Sequence, residues 1–159
     1  MSVWPIGCFK NTNVLVTGGT SGIGAAIARG FAEEGAHVTV TGATSEEVSR
    51  ASGDMPGIRT ELLDVREGTT VSTLVDSFAT LHHVVNCAGV IRRIEEHDPA
   101  VFADVIDINL SGTMRVCAAA RGRLKDTAGS IVNTASMLSF FGGGLVPAYS
   151  ASKGGVAQL

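Results

Sequence analysis

Across 159 residues the chain carries a formal net charge of −3, with 45% hydrophobic residues, 5% aromatic residues and 20 glycines. That length suits one domain with a sizeable core, and the composition excludes a disordered polar chain. With no basic run, nucleic acid has no electrostatic hold, and no apolar stretch approaches the roughly 20 residues that span a bilayer.

In chain order, residues 1–11 read as a loose lead-in, with Trp4 and Phe9 placed to cover one end of a core. No charged segment followed by an apolar run marks a secretory signal there. Residues 13–17 (N-V-L-V-T) predict a buried strand that runs into Gly18, Gly19, Gly22 and Gly24. An alanine-rich helix follows from Gly22 to near Glu34, with Gly35 as its stop. Strand, glycine turn and helix together point backbone N–H groups and a helix N-terminus at an anion, and glycine lets a phosphate come close. Gly19 and Gly24 are spaced as in a P-loop, but Ala25 stands where the lysine is needed. The glycines fall as G-x-x-x-G-x-G, which is not the dinucleotide pattern G-x-G-x-x-G. A nucleotide-phosphate site and a ligand-free glycine turn both fit this stretch taken alone.

Residues 37–41 (H-V-T-V-T) predict strand two, Ser45 an N-cap, and 46–51 a brief helix. Residues 59–64 predict strand three, and 69–79 a helix burying Val71, Leu74, Val75 and Phe78. Residues 83–87 predict strand four, stopped by Ala88 and Gly89. Asp98 as N-cap and Pro99 in the first turn open the longest helix, which runs to about Lys125. Phe102, Val105, Ile106, Leu110, Met114 and Cys117 form its expected apolar stripe. Residues 129–135 predict strand five, 137–147 a glycine-rich loop, and Pro147 begins a last helix. Strands alternating with helices predict an α/β fold whose parallel sheet is covered on both faces. Cys8, Cys87 and Cys117 match neither a disulfide framework nor a zinc site, and read as reduced, mostly buried thiols of a cytoplasmic protein. His82, His83 and His97 lack metal-like partners and read as surface or core histidines.

Laid out this way, the motifs resemble the single-domain branch of the short-chain dehydrogenase/reductase family. The residues that carry the resemblance are Thr17-Gly18-Gly19-Thr20-Ser21-Gly22-Ile23-Gly24 for T-G-x-x-x-G-x-G and Asn86-Cys87-Ala88-Gly89 for N-N-A-G, the latter one residue off pattern. They continue with Asn109 in I-N-L-S-G, Ser136 in N-T-A-S, and Tyr149 with Lys153 for Y-x-x-x-K. Ser21 stands where the extended branch has its second glycine, which disfavours that branch. The resemblance implies a Rossmann-type doubly wound parallel sheet of order 3-2-1-4-5. It also implies an NAD(P)-dependent oxidoreductase interconverting a secondary alcohol and a ketone.

Tyr149 and Lys153 are four apart, so on a helix they share a face. A free tyrosine titrates near ~10, and a neighbouring ammonium favours the phenolate, bringing such a group towards general acid–base work. The resemblance gives Tyr149 the proton transfer and Lys153 the tuning of it and the cofactor hydroxyls. It has Ser136 hold the substrate oxygen and Asn109 bind, through its carbonyl, a water that relays protons. Ser136 as a turn cap and Asn109 as a core amide are the plainer readings, and Ala135 replaces a further serine usual in the family. Gly18, Thr20, Ser21, Gly22, Ile23 and Gly24 are implied at the pyrophosphate. Gly42 and Ala43 are implied at the adenosine ribose, Asp64 and Val65 at the adenine, and Asn86, Ala88 and Gly89 near the nicotinamide ribose. Asp64 is equally readable as an N-cap for the next helix.

The end of strand two has no acid to bind a ribose 2′-hydroxyl, as NAD enzymes commonly do, and no arginine for a 2′-phosphate. Thr41, Thr44 and Ser45 offer neutral hydroxyls for a 2′-phosphate, which tilts the expectation slightly to NADP. Family members continue well beyond Leu159, so residues 1–159 are expected to form one NAD(P)-binding domain without the family's C-terminal portion. A dinucleotide-binding module or truncated fragment without catalysis is the alternative. Phe140, Phe141 and Leu145 hint at an apolar substrate wall. A homo-oligomer paired through the long helix and the tyrosine-bearing helix is the expected assembly.

Overall fold

The computed structural model describes residues 7–159, so Trp4 lies outside the described residues. Strand β1 (Asn13–Thr17) is the centre of the fold, and Val14, Leu15 and Val16 are wholly buried. Its partners are β2 (His37–Gly42) and β4 (His83–Asn86), with β3 (Arg59–Leu62) outside β2 and β5 (Ser130–Asn133) outside β4. All four pairings are parallel, giving the order β3-β2-β1-β4-β5 that the resemblance implied. Side chains of a strand alternate between the sheet faces, so β1 serves two cores at once. Val14 and Val16 join Val38, Val40 and Val85 on one face, and Leu15 joins Val84 on the other.

Helix α1 (Gly22–Glu33) closes the first face through Ala25 and Ala28, small residues that let it lie close to the sheet. Gly35, at φ +89°, turns the chain out of it. Helix α2 (Ser45–Asp54), with Met55 capping its end, adds Ala51 and that methionine to the same core. Its N-cap is Thr44 and not Ser45. Thr44 Oγ1 accepts the N–H of Glu47, whose carboxylate reaches back to the Thr44 N–H, and only Thr44 has a glutamate three residues on. Phe9 packs edge-on against Phe31, ring centres 4.6 Å apart, and against His83, as its place in the lead-in predicted.

The second face is covered by α3 (Gly68–Asp76) and by a long helical rod opened by Asp98, whose carboxylate accepts the N–H groups of Ala100 and Val101. The rod is not one regular helix. Helix α4 (Pro99–Ile106) passes through a π-helical turn (Asp107–Ser111) into α5 (Gly112–Thr127). The wider turn inserts an extra residue and resets the buried face. Asn109 within it and Thr113, Val116, Ala120 and Leu124 after it face the core, whereas Met114 of the expected stripe is 49% exposed. Strand β5 leads to a 3₁₀ turn (Met137–Ser139) and then to α6 (Pro147–Val156). The cysteines are less buried than expected: Cys8 is exposed, and Cys87 and Cys117 are half-buried. Among the described residues no helix is long and apolar enough to cross a membrane.

Candidate functional site

The carboxyl ends of β1, β2, β3 and β4 open onto one cleft of about 380 Å³, at the edge where open α/β sheets bind ligands. Gly18, Thr20, Ser21, Gly22, Ile23 and Gly24 form its first wall. Gly18 has φ +63°, and a Cβ on it would stand 2.6 Å from the Ala88 backbone, so the turn closes only with glycine there. Ser21 is the N-cap of α1 but its side chain bonds no backbone N–H, and the first turn holds no acid. The N–H groups at the start of α1 therefore lack a side-chain acceptor, and the helix dipole adds positive potential. This cradle fits a diphosphate.

Thr41, Gly42, Ala43 and Glu47 form the second wall. The Glu47 Oε2 accepts the N–H of Ala43 at 2.7 Å and that of Thr44 at 3.3 Å. Thr41 is buried, and its hydroxyl accepts the Gly18 N–H at 3.4 Å. Leu63, Asp64, Val65 and Arg66 follow as the third wall. Asp64 lies two residues beyond β3 and caps no helix, the N-cap of α3 being Glu67. Its carboxylate instead accepts the Arg66 N–H and guanidinium, the closest contact being 2.6 Å, because Arg66 folds back over it. That hydrogen-bonded guanidinium holds the Asp64 carboxyl below its ordinary range, and the Asp64 carboxylate in turn pushes Arg66 still higher. Asp104 of α4 bridges Arg66 and Arg92, at 2.7 and 2.9 Å.

The last wall comprises Cys87, Ala88, Gly89, Val90, Ile108, Thr134, Tyr149 and Lys153. Lys153 is buried, its Nζ 5.7 Å from the Tyr149 ring centre and donating to the Thr134 carbonyl at 2.6 Å. Burial lowers its pKa, opposed by the nearby Cys87. Asn86 differs from expectation. It sits beneath the wall, where Thr17 donates to its Oδ1 and its Nδ2 donates to Asn133, so its amide ties β1, β4 and β5 together. Asn109 is wholly buried in the π-helical turn. Its amide accepts the Val90 N–H and donates to the Val90 carbonyl and to Ser152, clamping the loop after β4 against α6. Its own carbonyl accepts the Thr113 hydroxyl at 2.8 Å.

Ser136 does not line the cleft. It caps the 3₁₀ turn, its Oγ accepting the Leu138 N–H at 3.2 Å, which leaves its hydroxyl proton for another acceptor. Phe140, Phe141 and Leu145 are exposed and also stand outside the cleft. Sequence reasoning missed two carboxylates. Glu47 was marked by the T-x-x-E capping pattern. Glu96 carried no local signal: it is buried, and it accepts the N–H groups of Arg92 and, at 2.8 Å, of Tyr149. As α6 has no side-chain cap of its own, Glu96 supplies one from across the fold. His82 accepts the Asn13 N–H, His83 pairs with Ser130, and His97 meets the Gly144 carbonyl, all structural roles.

The chain is 35% identical to the 3-oxoacyl-(acyl-carrier-protein) reductase FabG of Chlamydia muridarum, covering 92% of this chain and 64% of that protein. It is 32% identical to the L-fucose dehydrogenase of Bos taurus, over 92% of this chain and 57% of that one. Against the NADP-dependent (R)-specific alcohol dehydrogenase of Lentilactobacillus kefiri it is 33% identical, over 92% of this chain and 63% of that one. The crystal structure of gox2181 superposes with a TM-score of 0.86 at 28% identity, covering 94% of this chain and 63% of that chain. The chain thus spans roughly three-fifths of the length of these relatives. A family model described as short chain dehydrogenase matches residues 12–159, from the lead-in to β1 through the helix of Tyr149 and Lys153. On that match, the chain belongs to the short chain dehydrogenase family.

Proposed function

We propose that this chain forms the dinucleotide-binding and proton-transfer part of an NAD(P)-dependent oxidoreductase that interconverts a secondary alcohol and a ketone. The observation that carries this reading is that Tyr149 and Lys153 line the same cleft as the uncapped start of α1. A bound nicotinamide dinucleotide supplies the hydride donor or acceptor. The N–H groups at the start of α1 seat its diphosphate, and Lys153, with donors to spare beyond Thr134, holds its ribose hydroxyls. Tyr149 gives its phenolic proton to the substrate oxygen in reduction and takes it back in oxidation. Ser136 donates its hydroxyl proton to the same oxygen, and Asn109 keeps the Val90 loop and α6 in register. Tyr149 is oriented by Glu96, which fixes the first turn of α6.

A second reading is a dinucleotide-binding module without catalysis, favoured by Ser136 standing outside the cleft wall as a turn cap. Turnover on a panel of secondary alcohols and ketones separates the two, with Tyr149→Phe alongside. The first reading expects turnover that falls by about a hundredfold or more in the variant, the usual weight of a positioned acid–base group. Equal rates for the two proteins would overturn it. A cytoplasmic location and a homo-oligomer paired through α4, α5 and α6 belong to the same proposal. The exposed Met114 on α5 supports the pairing, and sedimentation velocity tests it.

A further inference from the structure

From the geometry of the second wall we infer that the chain discriminates against a 2′-phosphate, taking NAD(H) in preference to NADP(H), and that Glu47 is the residue that does so. The inference rests on the dinucleotide reading above and deepens it. In a sheet of this order the adenosine ribose lies at the end of β2, where an acid on the chain bonds the 2′-hydroxyl or an arginine accepts a 2′-phosphate. Strand β2 ends in Gly42 and carries neither. Gly42 is instead overlain from α2: a Cβ on it would stand 3.0 Å from Glu47 Cβ and 3.1 Å from Glu47 Oε2. The glutamate thus brings a carboxylate to the wall that the strand end leaves without one.

That carboxylate occupies the backbone N–H groups a 2′-phosphate would need. The N–H groups of Ala43 and Thr44 both point at Glu47 Oε2. The Thr44 hydroxyl accepts the Glu47 N–H and the buried Thr41 hydroxyl accepts the Gly18 N–H, so each keeps only its single proton for an incoming acceptor. These two are hydroxyls on which the sequence expectation of NADP rested. The cations on the cleft offer no relief. Arg66 is held between Asp64 and Asp104, and Lys153 is bonded to Thr134 on the far wall. A ribose hydroxyl is a donor and can bond the remaining lone pairs of Glu47, whereas a phosphate is an acceptor of like charge and must displace it.

Titration of the protein with NADH and with NADPH, followed by nicotinamide fluorescence, tests this without reliance on turnover. Wild type should bind NADH more tightly, by about tenfold, and the gap should narrow as salt is raised. Glu47→Gln keeps a side-chain oxygen for the capping bonds and removes the charge. It should shift the affinity ratio about tenfold towards NADPH, the size expected for one like charge removed near a surface phosphate. Glu47→Ser frees the amides entirely and should move NADPH the same way, which guards against a perturbed fold in either variant. Wild type that prefers NADPH, or variants that leave the ratio unaltered, would overturn this inference and leave the dinucleotide reading of the cleft standing. Binding of neither dinucleotide would overturn the reading of the cleft and this inference with it.

Discussion

Helices α1 and α2 start one strand apart, at the carboxyl ends of adjacent parallel strands, and both face the same cleft. Their first turns are opposites. At α1 the N-cap Ser21 bonds nothing through its side chain, and no acid stands in the first turn. At α2 Thr44 and Glu47 close a reciprocal capping box, and Glu46 and Glu47 add negative charge. A side-chain cap is worth about 1 kcal/mol, so α1 forgoes stability that α2 keeps. One backbone device thereby serves two ends: left open it attracts an anion, and closed on itself it repels one. Helix α6 is a third solution, its first turn capped by Glu96 from elsewhere in the fold.

The comparison breaks most sharply at Gly18. An alanine there must adopt φ +63° and overlap the Ala88 backbone, so the glycine turn shifts and carries the start of α1 with it. Gly18→Ala should weaken NAD(P)H binding about a hundredfold, the scale of displacing a binding group by an ångström. Removing the closed cap with Thr44→Ala should instead cost about 1 kcal/mol of stability and leave the diphosphate seat intact. Fluorescence titration and urea unfolding of both variants decide it. If Gly18→Ala binds like wild type, the open helix start is not the seat.

Next in size is the remote cap. Glu96 is 1% exposed, and its carboxylate satisfies two backbone N–H groups. Glu96→Ala leaves both without an acceptor and should destabilise the protein by about 2–4 kcal/mol, well beyond Thr44→Ala. Equal losses in urea unfolding would show that α6 needs its borrowed cap no more than α2 needs its own.

What could be read in the sequence follows the range of the interactions. The glycine turn, β1 and the alanine face of α1 are specified by neighbours in the chain, and β1 spans the predicted residues. The cap of α2 was misplaced by one because Thr44 and Ser45 are both capping types, and the choice rests on which has Glu47 three residues on. The π-helical turn left no trace in a continuous helical pattern. It houses Asn109, whose amide partners Val90 and Ser152 lie on other elements. Glu96 meets Tyr149 across 53 residues of chain, a separation at which spacing says nothing. Asn86 and Ser136 were found as motif positions, but their places beneath and beside the wall were set by Thr17, Asn133 and Leu138.

The gentlest test makes α1 resemble α2. Ser21 has an extended backbone at φ −153°, the geometry of an N-cap whose side chain can reach the first turn, yet it makes no such bond. Ser21→Asp should supply one and place a negative charge at the positive end of the helix, raising stability by about 0.3–1 kcal/mol at low salt. The same charge then opposes a diphosphate at the N–H groups it has capped, so NAD(P)H should bind about tenfold more weakly. Both effects should shrink together as salt is raised, since one exposed charge causes both. A more stable protein that binds as well as wild type would separate the two roles and sink the idea that α1 is left uncapped for its ligand. A more stable and weaker binder would mean that capping and binding compete for the same amides, the competition that α2 resolves in favour of its own glutamate.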